Sequence, residues 1–324
     1  MALGTDHVIA SEIGNFIPEL WSDEVVAAYK SNLVMAQLVR RLNHRGKKGD
    51  TIRIPTPARG ATSAKAAETQ VTLIQHGTDA GIVISIDQHQ EYSRLIEDFA
   101  DVQALESLRR FYTDDAGYAV ARKVDTDLIL TMWARSGGNT TSHYTAATNV
   151  IEDAATLPTT TRTGDGTVIT GASAIGAYAA IGDPGIRVFN RVLDESDVPM
   201  ANRYMVVHPE TKEDLLGIAR FTEEAFVGER GPGNTVRNGL VGDIYGIEVY
   251  VSNQLPGVDS AGGDNDAVSG LLFHSDATVL VEQLGMRSQT QYKQEYLADL
   301  FTVDMIYGLE NLRDASIVPF ALPR

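Results

Sequence analysis

From Ser93 to Ser136 apolar residues recur in steps of three and four: Leu95, Phe99, Val102, Leu105, Leu108, Tyr112, Ala116, Ala119, Val124, Leu128 and Met132. That spacing predicts one apolar stripe along an α-helix. Charged residues, among them Glu97, Arg109, Arg110, Asp114, Asp125 and Asp127, are assigned to the opposite face. No proline interrupts the segment, and Gly137-Gly138 supplies the stop that glycine gives just past a helix. At about 1.5 Å per residue the predicted helix is a rod of roughly 50–60 Å. Ordinary globular helices average about 11–12 residues. The stripe is broad rather than strictly heptad, so the rod reads as a spine with other elements laid along it. Gly117 and the polar stretch Thr113 to Asp115 are the predicted point of bending.

Other patterns flank this spine. Upstream, Ser22 is placed to cap a helix with an apolar face of Val25, Val26, Tyr29, Leu33, Val34, Leu38 and Leu42. Thr51 to Ile54 alternates like a strand ended or edged by Pro55 and Pro57, and Val71–Ile74 and Gly81–Ile86 read as strands again. Residues 58–70 between them are small and polar, so 46–87 predicts a long hairpin. Two strands alone are barely stable in water, and such a hairpin is expected to lie on something else, such as a neighbouring subunit. Residues 137–171 are an irregular excursion with short strands at 150–151 and 167–170. A compact α+β region follows. Asp183-Pro184 opens a helix as N-cap and first helical residue, Arg203–Val207 is a buried strand, and His208-Pro209 opens a second helix. Asn238-Gly239 is a turn, strands punctuated by glycine run to Val251, and 256–268 is an acidic loop. Strands are predicted at 270–274, 278–284, 286–293, 299–310 and 313–319; across 286–310 polar and apolar residues alternate, as in a sheet with one wet face.

Composition narrows the function. The 324 residues carry a formal net charge of −16. A protein that grips nucleic acid needs clustered Lys and Arg, which this balance disfavours. There are no cysteines, so disulfides, thiolate zinc sites and cysteine nucleophiles are excluded. The first residues lack the basic-then-apolar order of a secretory signal, and no apolar run approaches the roughly 20 residues of a membrane span.

Catalytic motifs are fragmentary. The histidines are scattered without metal-ligand spacing. Gly171-Ala-Ser173 lacks the last glycine of a nucleophile elbow, and Gly228 to Gly233 lacks the lysine of a phosphate loop. Asp125 and Asp127 stand two apart on a helix, where they share no face, and read as solvated charge. Arg109-Arg110 and Lys47-Lys48 read as surface ion-pairing residues, and Asn139-Thr-Thr141 as an idle glycosylation acceptor.

Five stretches, in this order, resemble the major capsid protein of tailed double-stranded DNA bacteriophages, the Hong Kong 97 type (HK97-like) capsid fold. They are Phe16-Ile-Pro-Glu-Leu-Trp21 with the following helix; Gly49 to Pro55; Ile86-Asp87 through Ile96-Glu-Asp98 into the spine and Asp125 to Leu128; Val198-Pro199, Arg203 to Pro209 and Asn238 to Pro256; and Leu272-Phe-His274, Ala277, Tyr307-Gly308, Arg313 and Pro319. The resemblance implies an α+β fold with an N-terminal arm (1–45), an extended hairpin loop (46–87), a peripheral domain holding the long spine helix (88–149 and 273–311) and an axial domain (150–272 and 312–324). The last strand is expected to rejoin the axial sheet.

The function implied is structural, not enzymatic: self-assembly into an icosahedral shell around the packaged double-stranded DNA, in the virion, after assembly in the host cytoplasm. No cofactor or metal is implied. The implied partners are further copies in hexamers and pentamers, a separate scaffolding protein, a portal protein, a decoration protein and the packaged DNA by proximity, with no membrane. No cleavable scaffolding segment is expected ahead of the arm. Candidate inter-subunit contacts are Phe16 and Trp21 in the arm, Arg53, Arg59, Lys65 and Glu68 in the hairpin, Arg109 and Arg110 on the spine, and Arg230 and Arg237 in the axial region. An encapsulin-like nanocompartment shell is the alternative, and a metal-dependent hydrolase using Asp or Glu the remote one.

Overall fold

The computed structural model describes residues 34–56, 62, 64–65, 67–71, 80–97, 107–134, 144–145, 150–151, 161–169, 179–218, 243–258 and 267–323. The spine is present but shorter than its pattern. Helix α2 runs Ser107–Trp133, 27 residues, or about 40 Å. It continues through Gly117. Residues 93–97, assigned above to the helix, instead end strand β4 (Gln88–Glu97). This strand pairs antiparallel with β13 (Ala298–Asn311) along its full length, Leu95 opposite Leu300. Leu95 and Ile96 fit either period. A ten-residue ladder decides the matter, because every backbone group it pairs is removed from competition with water.

The four-stranded sheet has the order β1-β12-β13-β4. β1 (Arg40–Asn43) lies parallel to β12 (Thr278–Lys293). Leu42 therefore sits on a strand, and the upstream helix persists among the described residues only as α1 (Met35–Leu38). β12 is one strand, not two. Register shifts between Glu282 and Leu284, and between Leu284 and Arg287, mark the break the sequence suggested, as β-bulges do.

The hairpin is β2 (Thr51–Thr56) paired with β3 (Ala80–Ser85). Pro55 lies inside β2, which is tolerated on an edge strand. Val71 is exposed and outside any strand, and 72–79 lie outside the described residues. The base of the hairpin rests on its own subunit. Ile84 and Ile86 are buried with Val279 and Val281, and Ile52, Ile54 and Ile306 pack beside them. Gly308 permits this approach: a Cβ there would stand 2.3 Å from the Ser85 carbonyl oxygen.

The second sheet has eight strands, β5 (Tyr144–Thr145), β6 (Val150–Ile151), β10 (Gly257–Val258), β11 (Ala267–His274), β7 (Arg203–Val207), β9 (Ile247–Val251) and β8 (Asp243–Ile244) in that order, with β14 (Ile317–Pro323) beside β11. The last strand thus joins this sheet, four residues later than its pattern predicts, after a 3-10 turn at 314–316. Both ends of the predicted acidic loop are strand, β10 and the start of β11. Val168 forms only an isolated bridge to Arg162. Tyr245 and Gly246, both at positive φ (53 and 78), make the two-residue turn joining β8 to β9.

Two helices cover this sheet. α3 (Asp183–Glu195) is capped by Gly182, one residue before the predicted cap, with Pro184 in its first turn. It buries Ile186, Phe189 and Leu193, and Phe189 stacks on Phe320 of β14 at 5.0 Å between ring centroids. α4 (Pro209–Leu216) is capped by the His208 side chain, which accepts from the Glu210 amide. Arg203 fastens the region. Buried itself, it donates to Pro199 O (3.0 Å), Val198 O (2.6 Å), Asp194 Oδ1 (2.7 Å) and Asn190 Oδ1. Replacing Arg203 by methionine orphans these acceptors and is expected to cost about 2–4 kcal/mol, seen as a lower denaturant midpoint of the unassembled subunit.

Candidate functional site

The candidate surfaces grow out of α2. Its lower half packs into a core shared by both sheets. Leu128, Ile129, Met132 and Trp133 are buried with Val206, Leu271, Phe273 and Ile317 of one sheet and Leu280 and Tyr307 of the other. Its upper half buries Ala116 and Val120 on Phe301 and Val303 of β13.

The two aspartates read as solvated are both engaged. Asp125 is fully buried. Its carboxylate accepts from the amides of Val34 (3.3 Å) and Ala36 (3.2 Å), satisfying donors at the start of α1 and fastening the N-terminal stretch to the spine. Asp127 accepts from Tyr307 Oη (2.6 Å) and from Lys123 Nζ (2.6 Å). Sequence spacing could show only the Lys123 pair, four residues away; the other partners lie 89 to 180 residues away. Burial and the Asp127 carboxylate push the Tyr307 hydroxyl above its ordinary pKa. Asn311 donates to Thr131 O (2.7 Å), and Arg122 to Gln254 Oε1 (2.9 Å), so polar clamps join the spine to both sheets.

Burial also raises the Asp125 pKa, while the Ala36, Val34 and Met35 amides oppose the shift. A carboxyl raised in this way stabilises the fold fully below its unfolded value, and that contribution is lost as pH climbs through the raised value. Asp125→Ala is expected to cost about 1–3 kcal/mol by orphaning two amides. The cost should be larger at about pH 4 than at about pH 7, read from urea unfolding of the unassembled subunit at each pH.

Beside Asp125 opens a groove of about 360 Å³ between α2, α1 and the β1–β12 pair. Val120, Val124, Leu280, Met286 and Met305 give it an apolar lining, with Arg41, Arg45 and Glu282 at its polar side. Arg45 pairs with Glu282 (2.6 Å), and Arg41 donates from Nε to Ala36 O (2.7 Å). Beyond the groove β12 and β13 extend as a three-stranded ribbon with β4, which pairs with β13 as far as Glu97 opposite Ala298, and β12 is exposed at every position from Met286 to Tyr292. Arg287 grips Asp304 across the ribbon with two bonds of 2.7 and 2.9 Å, and His89 of β4 approaches the same carboxylate. The Arg287 guanidinium holds the Asp304 carboxyl below the usual carboxylate range. At the tip Tyr292, Tyr296 and Leu297 are exposed, and Leu297 has a positive φ of 46.

The candidate contacts are dispersed. Arg53 points outward from β2, and Lys65 and Glu68 are exposed in the hairpin loop, Glu68 at a positive φ of 60. Arg109 and Arg110 lie in the first turn of α2, their side chains outside the described set. Phe16, Trp21, Arg59, Arg230 and Arg237 lie outside the described residues, as do the glycine motifs at 171 and 228–233. No described pair of these residues is brought together. The groove and the ribbon tip were missed; the cluster of Tyr292, Tyr296 and Leu297 around a charged turn was the available signal. Among the described residues no group of three His, Asp or Glu is arranged to hold a metal ion, and no helix is long and apolar enough to cross a membrane.

A spine helix clamped between two sheets, with a hairpin and a ribbon extending from it, defines a shell subunit. The chain belongs to the phage capsid protein family, whose model, described as phage capsid protein, matches residues 91–304. No curated protein matches the sequence as a relative. Solved structures share the fold. That of Mycobacterium phage Che8 is 23% identical with a TM-score of 0.68, over 94% of this chain and 97% of the other. The capsid structure of cyanophage P-SCSP1u is 21% identical with a TM-score of 0.69, over 99% and 96%. The capsid of cyanophage Pam1 reaches a TM-score of 0.70 at 12% identity, over 99% of each chain. The fold is the α+β Hong Kong 97 type. The protein is a structural major capsid protein of the virion, not an enzyme, and it assembles with copies of itself.

Proposed function

We propose that copies of this subunit form hexamers and pentamers that close an icosahedral shell around the double-stranded DNA of a tailed phage. A separate scaffolding protein guides assembly in the host cytoplasm, a portal protein occupies one vertex, and a decoration protein binds outside. One observation carries this reading: the hairpin and the outer half of β12 both extend surface that their own subunit does not cover. The hairpin pairs with no other strand among the described residues, and the outer half of β12 is exposed. Such parts gain burial only between copies. The net charge of −16 suits a wall that lets DNA slide, since it offers few phosphate-neutralising groups.

The two sheets favour a division into a peripheral domain (88–149 and 273–311) and an axial domain (150–272 and 312–324), except that β5 and the last two residues of β11 belong to the eight-stranded sheet; β1 of the arm adds to the peripheral sheet. The arm, hairpin, spine and axial arginines named above are its proposed contacts. Electron microscopy of the subunit co-expressed with its scaffolding protein tests the proposal. Closed shells with hexameric and pentameric units are expected; monomers under every assembly condition would overturn it.

A further inference from the structure

The ribbon tip and the groove are complementary, and both belong to every copy. The tip sets two exposed apolar side chains among charges: Tyr296 and Leu297 are each 64% exposed, Glu295 precedes them in the turn, and Lys293 and Asp299 flank it. Leu297 is held at a φ that side chains rarely adopt, and strain of this kind persists where the exposed residue has a task. The groove offers an apolar floor beside the Arg41 and Arg45 guanidinium groups, with the Glu282 and Asp125 carboxylates also in its lining. Its volume of about 360 Å³ falls within the range of binding pockets, about 300–1,000 Å³. Arg41 has no acidic partner among the described residues, and Arg45 has only Glu282. Met286, 56% exposed, forms the lip.

A copy cannot fill its own groove. Met286 and the tip lie on one extended ribbon, roughly 30 Å apart at about 3.3 Å per residue. We propose that the β12–β13 tip of one copy seats in the α2 groove of a second copy, Tyr296 and Leu297 entering the apolar floor and Glu295 meeting Arg41 and Arg45. The contact is heterologous, with a different patch on each side, so it propagates around rings or along arrays rather than stopping at a dimer. It rests on the capsid-subunit reading, which supplies neighbours in fixed register.

The absence of cysteines makes the test direct. Leu297→Cys at the tip and Ala121→Cys on the exposed groove wall are combined in one chain, co-expressed with the scaffolding protein and oxidised mildly. A ladder of covalent dimers, trimers and larger species on a non-reducing gel is expected, collapsing on reduction. Each single variant should stay monomeric, and a mixture of the two should stop at dimers. Cross-linking by Leu297→Cys alone would show tip meeting tip and overturn the proposal. No ladder would also overturn it; if closed shells are then seen by electron microscopy, the capsid reading survives without this contact. A ladder without shells would keep the contact and sink the proposed closed-shell assembly. As a second measurement, Glu295→Lys should lower shell yield at least about tenfold through like-charge contact. Adding Arg41→Glu should restore it in a chain whose circular dichroism is unchanged, and failure of that rescue in folded protein counts against the pairing.

Discussion

Deleting residues 58–70 should leave a folded subunit that no longer forms closed shells. The structure gives a reason for each half of that outcome. What holds the hairpin to its own subunit is its base. Ile52 and Ile54 of β2 and Ile84 of β3 face Val279, Val281 and Ile306, and all of these residues lie outside the deletion. Ser85 and Gly308 remain in close approach. Residues 57 and 71–79 still connect β2 to β3, and shortening a loop slightly lowers the entropy cost of closing it. The unassembled subunit should therefore keep its circular dichroism and a denaturant midpoint close to that of the parent. The deleted stretch carries Lys65 and Glu68, both exposed on their own subunit. If the hairpin works by lying across a neighbour, shell yield by sedimentation and electron microscopy should fall to near zero. Normal shells from this deletion would remove the hairpin from the assembly mechanism, whereas an unfolded subunit would show that the loop serves its own chain.

Trp133→Ala should have the largest effect on the subunit itself. Trp133 is fully buried at the end of α2, in the core where both sheets meet the spine. Truncating a buried aromatic side chain to alanine costs about 3–5 kcal/mol, from lost transfer energy and the cavity left behind. Most of the stability of an ordinary domain is about 5–15 kcal/mol in all, so soluble yield should drop sharply. Trp133→Phe offers a contrast. The indole Nε1 has no hydrogen-bond partner among the described residues, and phenylalanine removes that donor along with part of the volume. Its cost should be no more than about 2 kcal/mol. A phenylalanine variant as damaged as the alanine one would mean that the indole nitrogen is satisfied in the assembled protein, for example by water.

Much of the fold was legible because period and punctuation agreed. Arg203–Val207 reads as a buried strand, His208-Pro209 as a helix start and 278–284 as a strand, and each is so placed. The errors cluster where two local readings were equally good. Residues 93–97 carry apolar positions compatible with helix or strand, and pairing with β13 settles it. Leu42 extended an apparent helical stripe until parallel pairing with β12 claimed it. Asp125 looked like surface charge, since nothing nearby in sequence reveals that the amides of Val34 and Ala36 point at it.

The sequence alone determined the class of the protein: an α+β chain without cysteine chemistry, acidic, with a long central helix, a hairpin too slender to stand unaided, and motifs in capsid-protein order. All but the motif order follow from side-chain periodicity and composition, which are local properties; the class rests on the resemblance that the motif order carries. The central helix itself was only half determined. Its apolar stripe fixed that it exists and, through Ala116, Val124, Leu128 and Met132, part of the face that turns inward; Asp125, assigned to the other face, is buried. Tertiary structure decided that it spans Ser107–Trp133, that Asp125 is a buried anchor for α1, and that a cation-rimmed groove opens beside it. Those features arise where segments distant in the chain meet, and the free energy that selects them comes from burial and hydrogen bonds between residues that no local pattern connects.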